Sequence, residues 1–369
     1  MCEWKLTTIG NLCDTISCTY RGRHDKVVLV NTSDVLEGKV LSHEFVDNKN
    51  LKGQFKKTFQ KDDILYSEIR PANKRFAYID FEETDQYIAS TKLMVLRPKQ
   101  DRVRPRFLFA ILKSKAVIDE LQLLAETRSG TFPQITFSAE LAPMKVMLPP
   151  IDVQDKIVSI LDSIEEKIEN NRSINNNLEQ QAHALYTSMF ITNADPTWQQ
   201  GHLSDLITVR YGKDHKKLAD GAYPVYGSGG IMRYAERPLY DKESVLIPRK
   251  GSLNNVMYVN EPFWSVDTMF YTEMRMPNIA KFVYHFVKSK DLASMNAGSA
   301  VPSMTTDILN AMELSIPSKA ALVKFENIVA PMYRAMKDYG TQSNQLAILR
   351  DSILPKLMSG EIDVSAIEI

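Results

Sequence analysis

Residues 107 to 115 read Phe-Leu-Phe-Ala-Ile-Leu-Lys-Ser-Lys, and residues 282 to 290 read Phe-Val-Tyr-His-Phe-Val-Lys-Ser-Lys. The same apolar helical pattern, closing on the same three residues at an offset of 175, marks a tandem duplication. Toward the N-terminus, Trp4, Ile9 and Leu12 return as Trp198, Leu203 and Leu206, at an offset of 194. In the other direction, Ser129, Gly130, Pro133 and Thr136 meet Gly298, Ser299, Pro302 and Thr305. A gap-free stretch at offset 168 then pairs Met144 with Met312, Pro149 with Pro317 and Met189 with Leu357. A contracting offset means shorter loops in the second copy around a shared framework, because exposed connections tolerate length changes best. Two similar modules point to a ligand with two similar halves.

The rest of the composition sets bounds. A chain of 369 residues is long for one core and suits two globular domains with connecting elements. Met-Cys-Glu-Trp-Lys leads into no long apolar run, and no stretch approaches the ~20 apolar residues of a membrane span. Neither a signal peptide nor a membrane anchor is expected, and the expected compartment is the cytoplasm. Cys2, Cys13 and Cys18 crowd the first copy without counterparts in the second, as reduced thiols would. They lack the nearby Cys and His partners that zinc requires, so no metal is expected.

Net charge is zero, but the charges are segregated. Residues 21 to 75 hold 12 Lys/Arg against 8 Asp/Glu, and residues 208 to 260 hold 9 against 5. The segment 151 to 190 holds 3 against 7. The modules therefore carry the basic patches that phosphate affinity needs, although ordinary variation of a solvated surface also produces such windows.

That acidic segment is helical. Ile157, Leu161, Ile164, Ile168, Leu178, Leu185 and Met189 form a heptad stripe, with polar Asn171 and Asn175 in register. The second copy repeats it with Phe325, Val329, Met332, Met336, Tyr339, Leu346, Ile353 and Leu357. Ser163-Ile-Glu-Glu166 reads as a capping box and aligns with Pro331, which predicts a helix break near 162 and 330 followed by a long helix to about 191 and 358. Pro355 is expected to kink or fray the end of the second helix. Such a stripe on one helix is ordinary core; two matched stripes favour antiparallel pairing of the helices with pseudo-twofold symmetry.

Within the modules, the runs Ile64–Tyr66, Leu93–Leu96, Ser244–Ile247 and Met269–Tyr271 read as strands between turns, giving mixed α/β (α+β) domains. The expected division is residues 1–148 and 195–316 for the modules, with helical segments at 149–194 and 317–369. The second module carries Tyr226-Gly-Ser-Gly-Gly230, then Arg233, then Arg249-Lys-Gly-Ser252. Glycines permit close backbone approach, and Arg, Lys, Ser and Tyr bond phosphates or base edges, although structural turns alone also explain such a loop. It is not a P-loop, because no Gly-Lys-Ser/Thr follows. Neither a Gly-x-Ser-x-Gly elbow nor a His-Glu-x-x-His helix occurs, and the six histidines are scattered. No catalytic residue is assigned.

The stretch Leu148-Pro-Pro-Ile-Asp-Val-Gln-Asp-Lys-Ile157, its echo at Ile316-Pro317 and the ending Ile353-Leu-Pro-Lys-Leu-Met-Ser-Gly-Glu-Ile362 resemble the specificity subunits of type I restriction-modification enzymes. The glycine loop and Arg249-Lys-Gly-Ser252 resemble that family's target-recognition domains, and the likeness covers essentially the whole chain. The first module departs, offering Thr19-Tyr-Arg-Gly-Arg23 and Ser67-Glu-Ile-Arg70 at the corresponding places. The resemblance implies a non-catalytic subunit. Each module would bind half of a split double-stranded DNA target while the helices set the spacer. Two methylation subunits would dock on it and restriction subunits would join them, with S-adenosylmethionine and ATP held by those partners. The DNA face would comprise Arg21, Arg23, Arg70, Lys74 and Arg75 in the first module. In the second it would comprise Lys213, Lys216, Tyr226, Ser228, Arg233, Arg249, Lys250 and Ser252. Three alternatives remain open at this point: a stand-alone DNA-modifying enzyme, a coiled-coil scaffold that binds no DNA, and a specificity-like subunit of some other assembly.

Overall fold

A computed structural model describes residues 4–49, 53–128, 133–295 and 303–364. Cys2 and the repeat positions Ser129, Gly130, Gly298, Ser299 and Pro302 lie outside the described residues. The chain forms two compact units, Met1–Asn170 with Gln342–Ile369, and Asn171–Thr341.

Both units are mixed α/β and are built on the same frame. In the first, strand Lys5–Thr8 runs antiparallel to Lys145–Leu148, with Lys5 opposite Leu148. In the second, Gln199–His202 pairs with Glu313–Ile316, with Gln199 opposite Ile316. These registers reproduce the offsets of 194 and 168 on facing strands of one ladder. A four-stranded antiparallel framework sheet follows, in the order Cys13–Ile16, Leu93–Pro98, Ile64–Ser67 and Phe76–Tyr78. Its counterpart has the order Ile207–Tyr211, Met269–Met274, Ser244–Pro248 and Met257–Val259. The predicted strands all fall in these sheets, and most of their residues are buried. Helices Pro105–Leu112 and Ala280–Lys288 cover the frame, burying Phe107 and Phe282. Thr136 and Thr305 cap matching turns, each hydroxyl accepting from the amide three residues on at 3.3 Å.

A second sheet in each unit does not repeat. The first unit orders Phe45–Asp47, Lys26–Val30, Tyr87–Ser90 and Phe55–Lys57; the second orders Gly230–Ala235, Asp220–Gly227 and Trp264–Ser265. Framework strands start at Cys13 and Ile207 before this sheet and at Leu93 and Met269 after it, so the offset contracts from 194 to 176 within it. The remaining contraction falls after the Phe107 and Phe282 helices. There the first unit has a 14-residue helix, Lys115–Arg128, and the described residues of the second form turns.

The long helices are Ile151–Thr187 and Lys319–Ser359, of 37 and 41 residues. The break expected near 162 and 330 does not occur. Ser163 lies mid-helix, its hydroxyl donating to the Ser159 carbonyl at 2.8 Å rather than capping a new start. Pro331 and Pro355 also lie inside the second helix and are exposed, and the helix continues past both. A proline on the solvent face leaves the carbonyl four residues earlier open to water, which removes much of the penalty of the missing amide. The second helix stops at Gly360, whose φ of +75° suits a left-handed cap; a Cβ there would meet the Trp4 indole at 2.9 Å.

Each unit uses part of both helices. In the first unit, buried Ile157, Leu161 and Ile168 lie on one helix and Leu354 and Leu357 on the other, with Ile164, Leu346 and Ile353 half-buried. Arg350 approaches Glu165 at 3.9 Å. In the second unit, Phe325 and Val329 are buried, whereas Leu178, Leu185, Met189, Met332, Met336 and Tyr339 are half-buried. Ala182, Tyr186, Phe190 and Tyr333, beside the predicted stripe, are buried as well, because this part of the helix pair turns toward the covering helix of its module. Phe190 stands 4.8 Å from Phe282 and 5.1 Å from Phe325, both edge-on. Asn175 donates to the Met336 carbonyl at 3.0 Å, so the polar gap in the heptad links the two helices. Within each unit the helix segments run antiparallel.

Candidate nucleic-acid interface

In the second unit, strands Asp220–Gly227 and Gly230–Ala235 form a ribbon that turns at Ser228 and Gly229, with Tyr226 opposite Ile231 and Gly227 opposite Gly230. Gly230, the first residue after the turn, has φ +114°, a conformation that glycine adopts without strain. The loop 249–252 folds onto this turn. Gly251 has φ +83°, and a Cβ on it would lie 2.7 Å from Ser228 Oγ. Asn255 Nδ2 donates to the Ser228 carbonyl at 2.8 Å and locks the two loops together. Two segments 21 residues apart in sequence thus become one surface.

The predicted contact residues divide on this surface. Lys213 uses its backbone: its carbonyl accepts from the Trp264 indole at 2.9 Å and its amide donates to Ser265, while its side chain is exposed. Lys216 is likewise held by its amide on the Asp214 carboxylate at 3.0 Å. Lys250 and Ser252 are exposed on the glycine loop. The Arg249 guanidinium lies 5.3 Å from the centre of the Tyr211 ring and donates to the Asp267 carbonyl at 3.4 Å. Arg233 is turned inward, donating to the Leu218 carbonyl at 2.6 Å with Asp220 at 3.8 Å. Tyr226 is half-buried against Phe263 with its hydroxyl toward Glu261 at 3.5 Å; burial and that carboxylate push its pKa upward.

The first unit arranges its cations differently. Arg70 and Lys74 bracket the turn Pro71–Asn73 in left-handed conformations, φ 45° and 51°. The turn is held from helix Lys115–Arg128, where Gln122 Oε1 accepts from the Ala72 amide at 3.0 Å. Lys74 pairs with Glu37 at 3.0 Å, and Arg75 donates to the carbonyls of Ser33 and Val35 at 3.0 and 3.3 Å. Arg21 and Arg23 are exposed on the connection before Lys26–Val30. No hydrogen bond or ion pair joins these two groups among the described residues.

Tyr211 and Asn255 join the surface without having been singled out in sequence. Asn255 had no readable signal, since its partner is a carbonyl 27 residues away. Among the described residues no cluster of His, Cys, Asp and Glu could hold a metal ion, and no helix is long and apolar enough to cross a membrane. Cys13 is buried, which pushes its thiol up to about 12, and Cys18 is exposed; both are free.

Duplicated frames that present unlike loop surfaces define a class: a two-module recognition protein. The family profile described as "Type I restriction modification DNA specificity domain" matches residues 1–180 and 196–330. The chain belongs to this family; it is a DNA sequence-recognition subunit with two domains and is not itself an enzyme. It is similar to the HindI type I restriction enzyme specificity subunit of Haemophilus influenzae, with 26% identity over 470 residues covering 98% of this chain and 100% of the relative. The MjaIX specificity subunit of Methanocaldococcus jannaschii is 23% identical over 309 residues, 72% of this chain and 71% of the relative. In fold it resembles the crystal structure of the type I restriction-modification S subunit from M. genitalium, with TM-score 0.58, 19% identity and coverage of 97% and 96%.

Proposed function

We propose that each module reads one half of a split double-stranded DNA target and that the two long helices set the length of the unread spacer. The observation that carries this is the repeated framework sheet bearing two different loop surfaces, since one scaffold presenting two chemistries fits two unlike half-sites. The chain acts with two methylation subunits, joined by restriction subunits. S-adenosylmethionine and ATP belong to those partners, and the complex works in the cytoplasm.

Methylation mapping tests this reading. A genome expressing the chain with its methylation partner should carry modified adenines in one bipartite motif. Adding one matched heptad to each long helix, after Asn175 and after Ser343, lengthens each by ~10 Å at 1.5 Å per residue. The spacer should then grow by about three base pairs with both half-sites unchanged. A continuous motif, or a lengthened active protein with the original spacer, would overturn the proposal.

A further inference from the structure

The ribbon of the second unit exposes three large apolar side chains within four consecutive residues: Ile231 at 50%, Met232 at 60% and Tyr234 at 48%. Scattered apolar residues on a surface need no explanation, but a contiguous group rimmed by charge does. The ribbon is held at its turn, and its register shifts between Val225 and Tyr226, opposite Met232. Its pairing continues up to the turn, Asn255 and Gly251 hold that turn from below, and Arg233 ties the strand back to Leu218.

Two cations, Lys213 and Lys250, are linked to the group through short steps of register. Tyr226 faces Ile231 on one side and Ser265 on the other, and the Ser265 carbonyl accepts from Lys213 at 2.8 Å. Lys250 adjoins Gly251, which touches Ser228 in the turn. Lys213, Lys216 and Lys250 form no ion pair among the described residues. A narrow apolar strip with a positive rim complements a polyanion that has apolar groups along its centre. The major groove of duplex DNA is such a surface: it admits a two-stranded β-ribbon, and its apolar group is the C5 methyl of thymine.

We propose that the ribbon enters the major groove and that Ile231 and Met232 read thymine methyl groups in the half-site of the second module. This rests on the DNA-reading function proposed above and adds the residues and the base chemistry. Part of that module's specificity is then apolar and independent of the arginines.

The full chain in complex with its methylation partner is assayed on the mapped target, with each thymine of the second module's half-site replaced in turn by deoxyuridine, which lacks only the methyl. At one or two positions affinity should fall about fourfold, the value of one buried methyl. The variant I231A/M232A should bind thymine and uracil forms alike with an unchanged salt slope, and I231V/M232L should restore the discrimination. A half-site without thymine, a wild-type protein indifferent to every uracil, or an I231A/M232A variant that discriminates as strongly as wild type would overturn the proposal. So would brightening of 2-aminopurine at a step indifferent to uracil, which indicates a side chain wedged between bases. If I231A/M232A fails to fold, the wild-type uracil scan decides. The variant K213A/K250A separates the two readings: an unchanged affinity and salt slope defeats DNA contact by this surface, whereas a clear response beside a flat uracil scan defeats only the methyl reading.

Discussion

The framework sheets of the two units match strand for strand, while the second sheets differ in strand number, order and length. The framework must bury the same covering helix against the same ladder, so core packing holds its geometry. The second sheet carries its chemistry on exposed turns, where packing demands little. Its variable length absorbs most of the contraction between copies, and the units present different apolar residues on it; their different cations stand beside it and on the loops between the third and fourth framework strands, at 68–75 and 249–256.

The largest effects should fall on the shared frame and be equal in the two units. Phe107→Ala and Phe282→Ala empty corresponding buried sites, 0% and 2% exposed, and each should cost its unit about 3–5 kcal/mol in urea unfolding. Unequal costs beyond about 1 kcal/mol would break the equivalence of the frames.

One residue earlier, the equivalence should fail. Lys281 is only 5% exposed and pairs with Glu326 at 2.7 Å and Glu243 at 3.1 Å. Arg106, at the corresponding position, is 43% exposed and meets Asp162 at 3.3 Å. Lys281→Ala strands two partly shielded carboxylates and should cost about 3 kcal/mol or more, whereas Arg106→Ala should cost no more than about 1 kcal/mol. Similar losses for both would show that burial does not set the difference.

Acid should also distinguish the units. His285 is buried, with Nε2 3.0 Å from the Tyr333 hydroxyl, and Ala110 occupies the corresponding position. Burial, with His183 adding to it, pushes the imidazole from 6.5 down to about 3, although Glu179 pulls it upward. The unfolded chain therefore takes up a proton near pH 6.5 that the folded chain refuses until about pH 3. The associated stability is complete well above pH 6.5 and is lost as pH falls, by about 2 kcal/mol on reaching about pH 5. Hydrogen exchange should show helix Ala280–Lys288 losing protection over that window before Pro105–Leu112 does, and His285→Gln should reduce the gap. Parallel loss in both helices would contradict the assignment.

The smallest effects concern single cations on the exposed loops. Lys250→Ala in one unit and Arg23→Ala in the other should each lower the slope of log affinity against log salt by about 0.9, if each neutralises one phosphate. An Arg75→Ala protein that binds DNA normally but unfolds more easily would confirm that a guanidinium held by two carbonyls serves the fold.

By itself the sequence determined the duplication, its contracting offsets, two strands of each frame and the two long helical stripes. Those properties rest on periodicity and local pattern, and facing ladders at offsets 194 and 168 preserve them. Local rules misjudged Ser163 and Pro331, because a helix held along its length by tertiary packing outlasts a local stop signal on its solvent face. Only the tertiary structure decided which cations remain available. Arg75 and Arg233 look like Arg21 and Lys250 in sequence, but carbonyls 42 and 15 residues away occupy their guanidinium groups. It alone brought Ser228, Gly251 and Asn255 together and showed Ile231 and Met232 outside the core. Exposure and long-range hydrogen bonding follow from how distant segments pack, and no period along the chain encodes them.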